Sequence, residues 1–109
     1  MAQDHEEEGT LPLLTAGARL REARLAAGLG IEEIAARTRV SRRHLEAIEE
    51  DRFSQLASRT YAVGFSRAYA RALGLNEESI AKSVREELAR QEELHPRPQF
   101  GENFEPGDP

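Results

Sequence analysis

Three aromatic residues stand four positions apart in the stretch from 58 to 75, which reads SRTYAVGFSRAYARALGL: Tyr61, Phe65 and Tyr69. On an α-helix this spacing places them on one broad face, and with the neighbouring Ala and Leu residues the apolar arc approaches ~140°. A surface helix usually turns only ~100° to its core. The periodicity alone favours a helix that buries this whole arc, because aromatic residues at helical spacing are usually core. The alternative is that one side of the arc, led by Tyr61 and Phe65, contacts a partner.

A second group of residues could bind nucleic acid. Residues 29–50, LGIEEIAARTRVSRRHLEAIEE, predict a short helix, a tight turn and a second helix capped by Ser41, which is a helix–turn–helix pattern. In DNA-binding examples the first residues of the second helix enter the major groove. Here those positions are Ser41, Arg42, Arg43 and His44. Arg42 and Arg43 could contact phosphate or guanine, and Arg39 in the turn could help.

The remainder of that second helix argues against DNA binding. Its later positions carry four acidic side chains that a polyanion would repel: Glu46, Glu49, Glu50 and Asp51. DNA-binding members of this fold usually have Gln at the start of the first helix of the motif, where Ile31 cannot donate a hydrogen bond. The sequence therefore predicts the fold more strongly than it predicts DNA binding, which stays the alternative function.

No group of residues suggests catalysis or metal binding. His5, His44 and His95 lie far apart, and the chain has no Cys. Most Glu residues occur in adjacent pairs, which point about 100° apart on a helix and are typical of solvated faces rather than acid–base pairs. No Gly-rich phosphate loop is present. We therefore expect a protein that is not an enzyme and that uses no cofactor or metal.

The 109 residues suffice for one small domain. The net charge of −5 lies mostly at the two ends, so the central part is close to neutral, which is weak evidence against a nucleic-acid binder. No apolar run is long enough to span a membrane, and the N-terminus lacks the pattern of a secretory signal, so we expect a cytoplasmic location. The expected organisation is a disordered acidic tail (1–13), a helix–turn–helix domain (14–95) and a disordered Pro-rich linker (96–109).

Capping and apolar periodicity predict an all-α, five-helix bundle, and the helix–turn–helix inside it resembles the repressor-like (XRE-like) type. Thr15, Ser41, Ser58 and Asn76 are the predicted N-caps, and the helices are expected near 15–27, 31–37, 41–51, 58–73 and 76–88. Gly28 and Gly74 are predicted to end the first and fourth helices. The predicted core includes one or two residues from each of the first four helices and their connections: Leu20, Ile34, Ile48, Phe53, Tyr69 and Leu73.

Three motifs resemble the cytoplasmic helix–turn–helix domain of the RodZ family of bacterial cell-shape proteins. They are L-R-E-A-R at Leu20–Arg24, L-E-A-I-E-E at Leu45–Glu50 and Y-x-x-G-F-x-R-x-Y-A-x-x-L-G-L at Tyr61–Leu75. The last is the most specific, because ordinary helix–turn–helix repressors lack it. The resemblance covers about Thr15–Leu88.

The resemblance implies a role in cell shape. In the RodZ family this domain binds the actin-like filament protein MreB and links it to the inner membrane, through aromatic residues at the start of the fourth helix. The matching positions here are Tyr61 and Phe65, so the resemblance favours the partner-binding interpretation of both. The family continues into a transmembrane helix and a periplasmic domain. Since neither follows here, we expect either a fragment that ends within a linker, which we favour, or a relative without the anchor.

Overall fold

The structure is a computed structural model that describes residues 14–94. Across these residues it contains five α-helices: α1 (Ala16–Ala26), α2 (Ile31–Thr38), α3 (Arg42–Glu49), α4 (Arg59–Leu73) and α5 (Glu77–Leu94). A short 3-10 turn, Phe53–Gln55, connects α3 to α4. The predicted all-α bundle with a helix–turn–helix inside it is confirmed. The predicted tail (1–13) and linker (96–109) lie outside the described residues.

Four helices begin at their predicted N-caps. Thr15, Ser41 and Ser58 accept hydrogen bonds from main-chain amides three residues later, and the side-chain oxygen of Asn76 accepts one from Ser79. Gly74 adopts a left-handed conformation (φ 75°) at the end of α4, which a glycine tolerates without strain. Helix α3 ends at Glu49, two residues before the predicted end at Asp51, because Asp51 has a positive φ of 58°.

Helix α5 continues to Leu94, six residues past its predicted end near residue 88. Its last turns are held by Gln91, which donates to the carbonyl oxygen of Asp51, and by Glu92, which pairs with Arg59.

The core lies between α4 and the helices around it, with α5 packed along α4. Leu20, Ile34, Ile48, Phe53 and Tyr69 are buried as predicted. The prediction that Leu73 belongs to the buried core is wrong, since Leu73 is only partly buried and packs against the core from outside. The other buried apolar residues of this cluster come from α1, α3, α4, α5 and the connections: Ala16, Val40, Leu45, Leu56, Ala62, Ala70, Ile80, Val84 and Leu88.

Helices α1 and α3 come unusually close at Gly17, which is buried in the first turn of α1. A β-carbon at this position would lie 2.1 Å from the carbonyl oxygen of Ile48 and 2.8 Å from that of Glu49. The amide of Gly17 donates to the carboxylate of Asp51 over 3.0 Å, and the hydroxyl of Thr15 donates to the same carboxylate. Asp51 therefore joins the end of α3 to the start of α1, which explains the backbone turn that stops α3.

Within residues 14–94, none of the helices combines the length and the apolar character needed to cross a membrane.

Candidate protein-binding site

Three aromatic rings from two helices form a contiguous surface, which we call the aromatic patch: Tyr61 and Phe65 of α4 and His44 of α3. The rings of Tyr61 and Phe65 are parallel within 4°, with their centroids 5.3 Å apart. The imidazole of His44 also stacks with Phe65, with the two ring centroids 5.5 Å apart and an interplanar angle of 29°. Tyr61 is 50% exposed, whereas Phe65 and His44 are partly buried. The result is a stacked aromatic surface that remains accessible to solvent.

Helix α4 presents this patch because its apolar arc is divided between two environments. Ala62, Tyr69 and Ala70 are fully buried on one side of the arc, while Tyr61 is exposed on the other. Phe65 lies between the two and packs against the core. The isolated domain therefore does not bury the whole arc, and the simpler interpretation of the aromatic spacing is wrong for Tyr61.

Tyr69 differs from Tyr61 because a polar network holds its hydroxyl inside the protein. This hydroxyl donates to Glu49, which also accepts from Arg24 at 2.8 Å (Nε) and 3.1 Å (Nη2). Desolvation by burial, together with the Glu49 carboxylate, raises the pKa of Tyr69, so the hydroxyl stays a donor at neutral pH. This network ties α1, α3 and α4 together one helical turn from Phe65 and fixes the rotation of α4.

His44 is the member of the patch that sequence reasoning missed. From the sequence it is only one of the positions of the second helix that could face DNA and one of three distant histidines. The sequence feature that predicts its location is the four-residue spacing to the buried Ile48, which places His44 on the inner side of α3. Because that side of α3 faces α4, the ring reaches Phe65.

Arg42 is engaged with carboxylates of this chain. Its guanidinium lies 2.6 Å from Glu32 of α2 and 2.8 Å from Glu46, one turn later in α3. The hydrogen bond to Glu46 and the charges of both carboxylates raise the pKa of Arg42. A DNA phosphate would have to compete with two local anions for this side chain, which weakens its candidacy as a DNA contact.

The other residues of the DNA-binding alternative divide into a cap and two accessible cations. Ser41 accepts the amide hydrogen of His44 and so acts as the N-cap of α3. Arg39 adopts a left-handed conformation (φ 65°) in the turn and is exposed, as is Arg43. Among residues 14–94, no carboxylate lies within ion-pair distance of Arg39 or Arg43.

Two of the four acidic residues that argued against DNA binding are not available to repel a polyanion. Glu49 forms the internal ion pair with Arg24, and Asp51 binds the N-terminus of α1. Glu46 and Glu50 are exposed, as expected, but each is paired with an arginine. The acidic run is therefore only weak evidence against DNA binding. Ile31 is partly buried against the core, in agreement with its apolar character.

Metal binding finds no support in the part of the chain that the structure describes, where no three His, Asp or Glu side chains are grouped to hold an ion. The aromatic side chains that come together in the patch suit the recognition of a macromolecule rather than of an ion.

Comparisons with known proteins agree with the fold and with the resemblance. RodZ of Streptococcus pneumoniae, described as a cytoskeleton protein, is 38% identical over 66 residues, which cover 61% of this chain and 24% of RodZ. The structure of YmfM from Staphylococcus aureus, a proposed DNA-binding membrane protein, superposes with a TM-score of 0.63 at 30% identity. That match covers 67% of this chain and 89% of the YmfM chain.

These relatives confirm the resemblance to the RodZ helix–turn–helix domain, while the chain spans about a quarter of the length of RodZ. A family model described as a helix-turn-helix domain matches residues 19–80, from the first turn of α1 into α5. Because the match covers more than half of the sequence, the chain belongs to this family of helix–turn–helix domains.

Proposed function

We propose that this domain is a protein-binding module that attaches to the actin-like filament protein MreB through the aromatic patch. The observation that carries the proposal is the half-exposed ring of Tyr61, stacked on Phe65, on a helix whose third aromatic residue is fully buried. Similarity to a cytoskeleton protein supports a filament partner. Tyr61 and Phe65 are the proposed anchors, and His44 extends the surface that they form.

The patch has the physical properties of an interface anchor. Aromatic residues dominate interface hot spots, where truncation of one ring costs about 2 kcal/mol or more. Tyr61 and Phe65 support each other by parallel stacking, and α4 is fixed by the Arg24–Glu49–Tyr69 network. Rings that are already ordered before binding lose little conformational entropy in the complex, so more of the burial energy contributes to affinity.

The wider role follows from the same similarity. We propose that the domain lies at the cytoplasmic face of the inner membrane and supplies the filament-binding part of a link between MreB and that membrane, as in rod-shape maintenance. The domain would act by binding alone, and its polar clusters are used for capping and packing rather than for chemistry.

DNA binding is the second candidate, and two observations favour keeping it under test. YmfM, whose fold this domain shares, is a proposed DNA-binding protein, and Arg39 and Arg43 are exposed cations on the helix–turn–helix surface. Against it stand the ion-paired Arg42 and the near-neutral charge of the domain. A DNA-binding domain would bind duplex DNA with an affinity that falls steeply with salt, as several phosphate contacts require. We expect only weak binding at low salt.

The aromatic patch is tested by measuring the dissociation constant for purified MreB with the wild-type domain and with the Tyr61→Ala/Phe65→Ala double variant. We expect the double variant to bind at least about 100-fold more weakly. The loss should be smaller than the sum of the two single losses, because each ring stacks on the other.

Leu25→Ala is the matched control, since Leu25 of α1 is 53% exposed, close to the exposure of Tyr61. It should leave the affinity unchanged, and circular dichroism should show that both variants are folded. Equal affinity of the folded double variant and the wild type would contradict the proposal. Retained DNA binding that is lost in Arg39→Ala/Arg43→Ala would then favour the second candidate.

A further inference from the structure

Gly64 is a glycine that the fold of this domain does not require. It lies in the interior of α4, is exposed, and has an ordinary helical conformation rather than a positive φ. A β-carbon placed on it would meet no atom of the described residues within 4 Å. Glycine at an exposed position inside a helix is less stable than alanine. The isolated domain therefore carries a cost at Gly64 without an internal benefit.

Gly17 shows what an internally required glycine looks like in the same protein. There the missing side chain lets α1 approach the backbone of α3, and a β-carbon would overlap a carbonyl oxygen at 2.1 Å. At both glycines the missing side chain leaves main-chain atoms of the helix open to close approach. At Gly17 the close neighbour is α3, whereas at Gly64 the domain provides none.

The position of Gly64 relates this open surface to the aromatic patch. On a helix, residues three and four apart are surface neighbours, so Gly64 lies beside Tyr61 and Ala68 on one flank and beside Thr60 and Arg67 on the other. Phe65 is the next residue along the chain. The missing side chain thus leaves a shallow notch in the surface of α4, bordered by the exposed ring of Tyr61 and by a small residue.

We infer that Gly64 is a specificity-determining residue at which the main chain of the actin-like partner packs directly on the backbone of α4. This inference rests on the proposed function and adds a structural basis for the choice of partner. A glycine permits close approach of another backbone, and the rings of Tyr61 and Phe65 then receive an apolar side chain from the same segment. A partner segment whose main chain cannot approach α4 this closely leaves the notch unfilled and binds more weakly.

The Gly64→Ala variant tests the inference, because we expect this variant to be more stable than the wild type and to bind its partner more weakly. The melting temperature Tm should rise by about 4 °C, since alanine is the better helix former at an exposed site. The dissociation constant for purified MreB should rise at least about tenfold, because the added methyl group occupies a packed contact. Ala26→Leu, which adds volume at an exposed position of α1, is the control and should leave the affinity unchanged.

The outcomes separate this inference from the proposed function. If Gly64→Ala binds MreB as tightly as the wild type while Phe65→Ala binds weakly, the inference about Gly64 is wrong and binding through the aromatic patch is supported. If the wild-type domain does not bind MreB, both are wrong. If sedimentation shows a dimer of the wild type that Gly64→Ala dissociates at unchanged affinity for MreB, the neighbour at Gly64 is a second copy of this chain, which also overturns the inference.

Discussion

Gly17→Ala is expected to lower the free energy of unfolding by about 3 kcal/mol or more. The new β-carbon would lie 2.1 Å from the carbonyl oxygen of Ile48 and 2.9 Å from a carboxylate oxygen of Asp51. The closest of these atoms is main chain at the end of α3 and cannot rotate away, so α1 must move outward. That movement weakens the hydrogen bond from Gly17 to Asp51 and loosens the packing of Leu20. Overpacking of this kind typically costs 1–3 kcal/mol, and a clash with main chain lies at the upper end of that range or above it.

The measurement is urea unfolding of the variant beside the wild type. Gly64→Ala is a matched control, since it makes the same chemical change on an exposed helix surface and should stabilise the domain by about 1 kcal/mol. The two substitutions should therefore change the midpoint in opposite directions. A Gly17→Ala variant that unfolds at the wild-type midpoint would show that α1 and α3 are not packed as described.

Glu49→Ala is expected to cost about 3–5 kcal/mol, which is the typical cost of breaking a buried ion pair by removing one partner. The side chain of Glu49 is 7% exposed and accepts hydrogen bonds from both Arg24 and Tyr69. Its removal leaves a largely buried guanidinium and a buried phenol hydroxyl without their acceptor. Because this network fixes α4, the variant should also bind MreB more weakly than its stability alone would explain.

Thermal unfolding of Glu49→Ala and Glu46→Ala compares two carboxylates of the same helix. Glu46 forms an exposed ion pair with Arg42 at a similar distance, 2.8 Å, and exposed pairs contribute at most about 1 kcal/mol. We expect a large decrease in Tm for Glu49→Ala and a small one for Glu46→Ala. Similar decreases for both would mean that Glu49 is not buried in a network.

The fold was predictable from the sequence because local signals agree with one another. The predicted caps Thr15, Ser41, Ser58 and Asn76 all accept the expected amide hydrogen bonds. The buried residues Ile80, Val84 and Leu88 of α5 follow one another at four-residue spacing, which is visible in the sequence. Such signals act within one or two helical turns, so they can be read without knowing which helices meet.

The candidate site was only partly predictable because its details depend on contacts between helices. The residues alone favoured burial of the whole α4 arc, and only the resemblance favoured an exposed Tyr61. That Ser66 is buried with its hydroxyl unpaired among the described residues was not predicted. Glu49 was expected on the surface with other acids, although it stands four residues after the buried Leu45 and so shares its face of α3. That its partner is Arg24 and that His44 reaches Phe65 are facts of packing between distant segments.

The central claim is that MreB lies against the aromatic patch, and the most direct measurement is cross-saturation NMR of the isotopically labelled domain in the presence of unlabelled MreB filaments. The amide signals of His44, Tyr61, Gly64 and Phe65 should lose the most intensity, because protons at the contact receive saturation from the filament. Loss of intensity confined to Arg39 and the residues from Ser41 to Arg43, or to α1 and α5, would contradict the account.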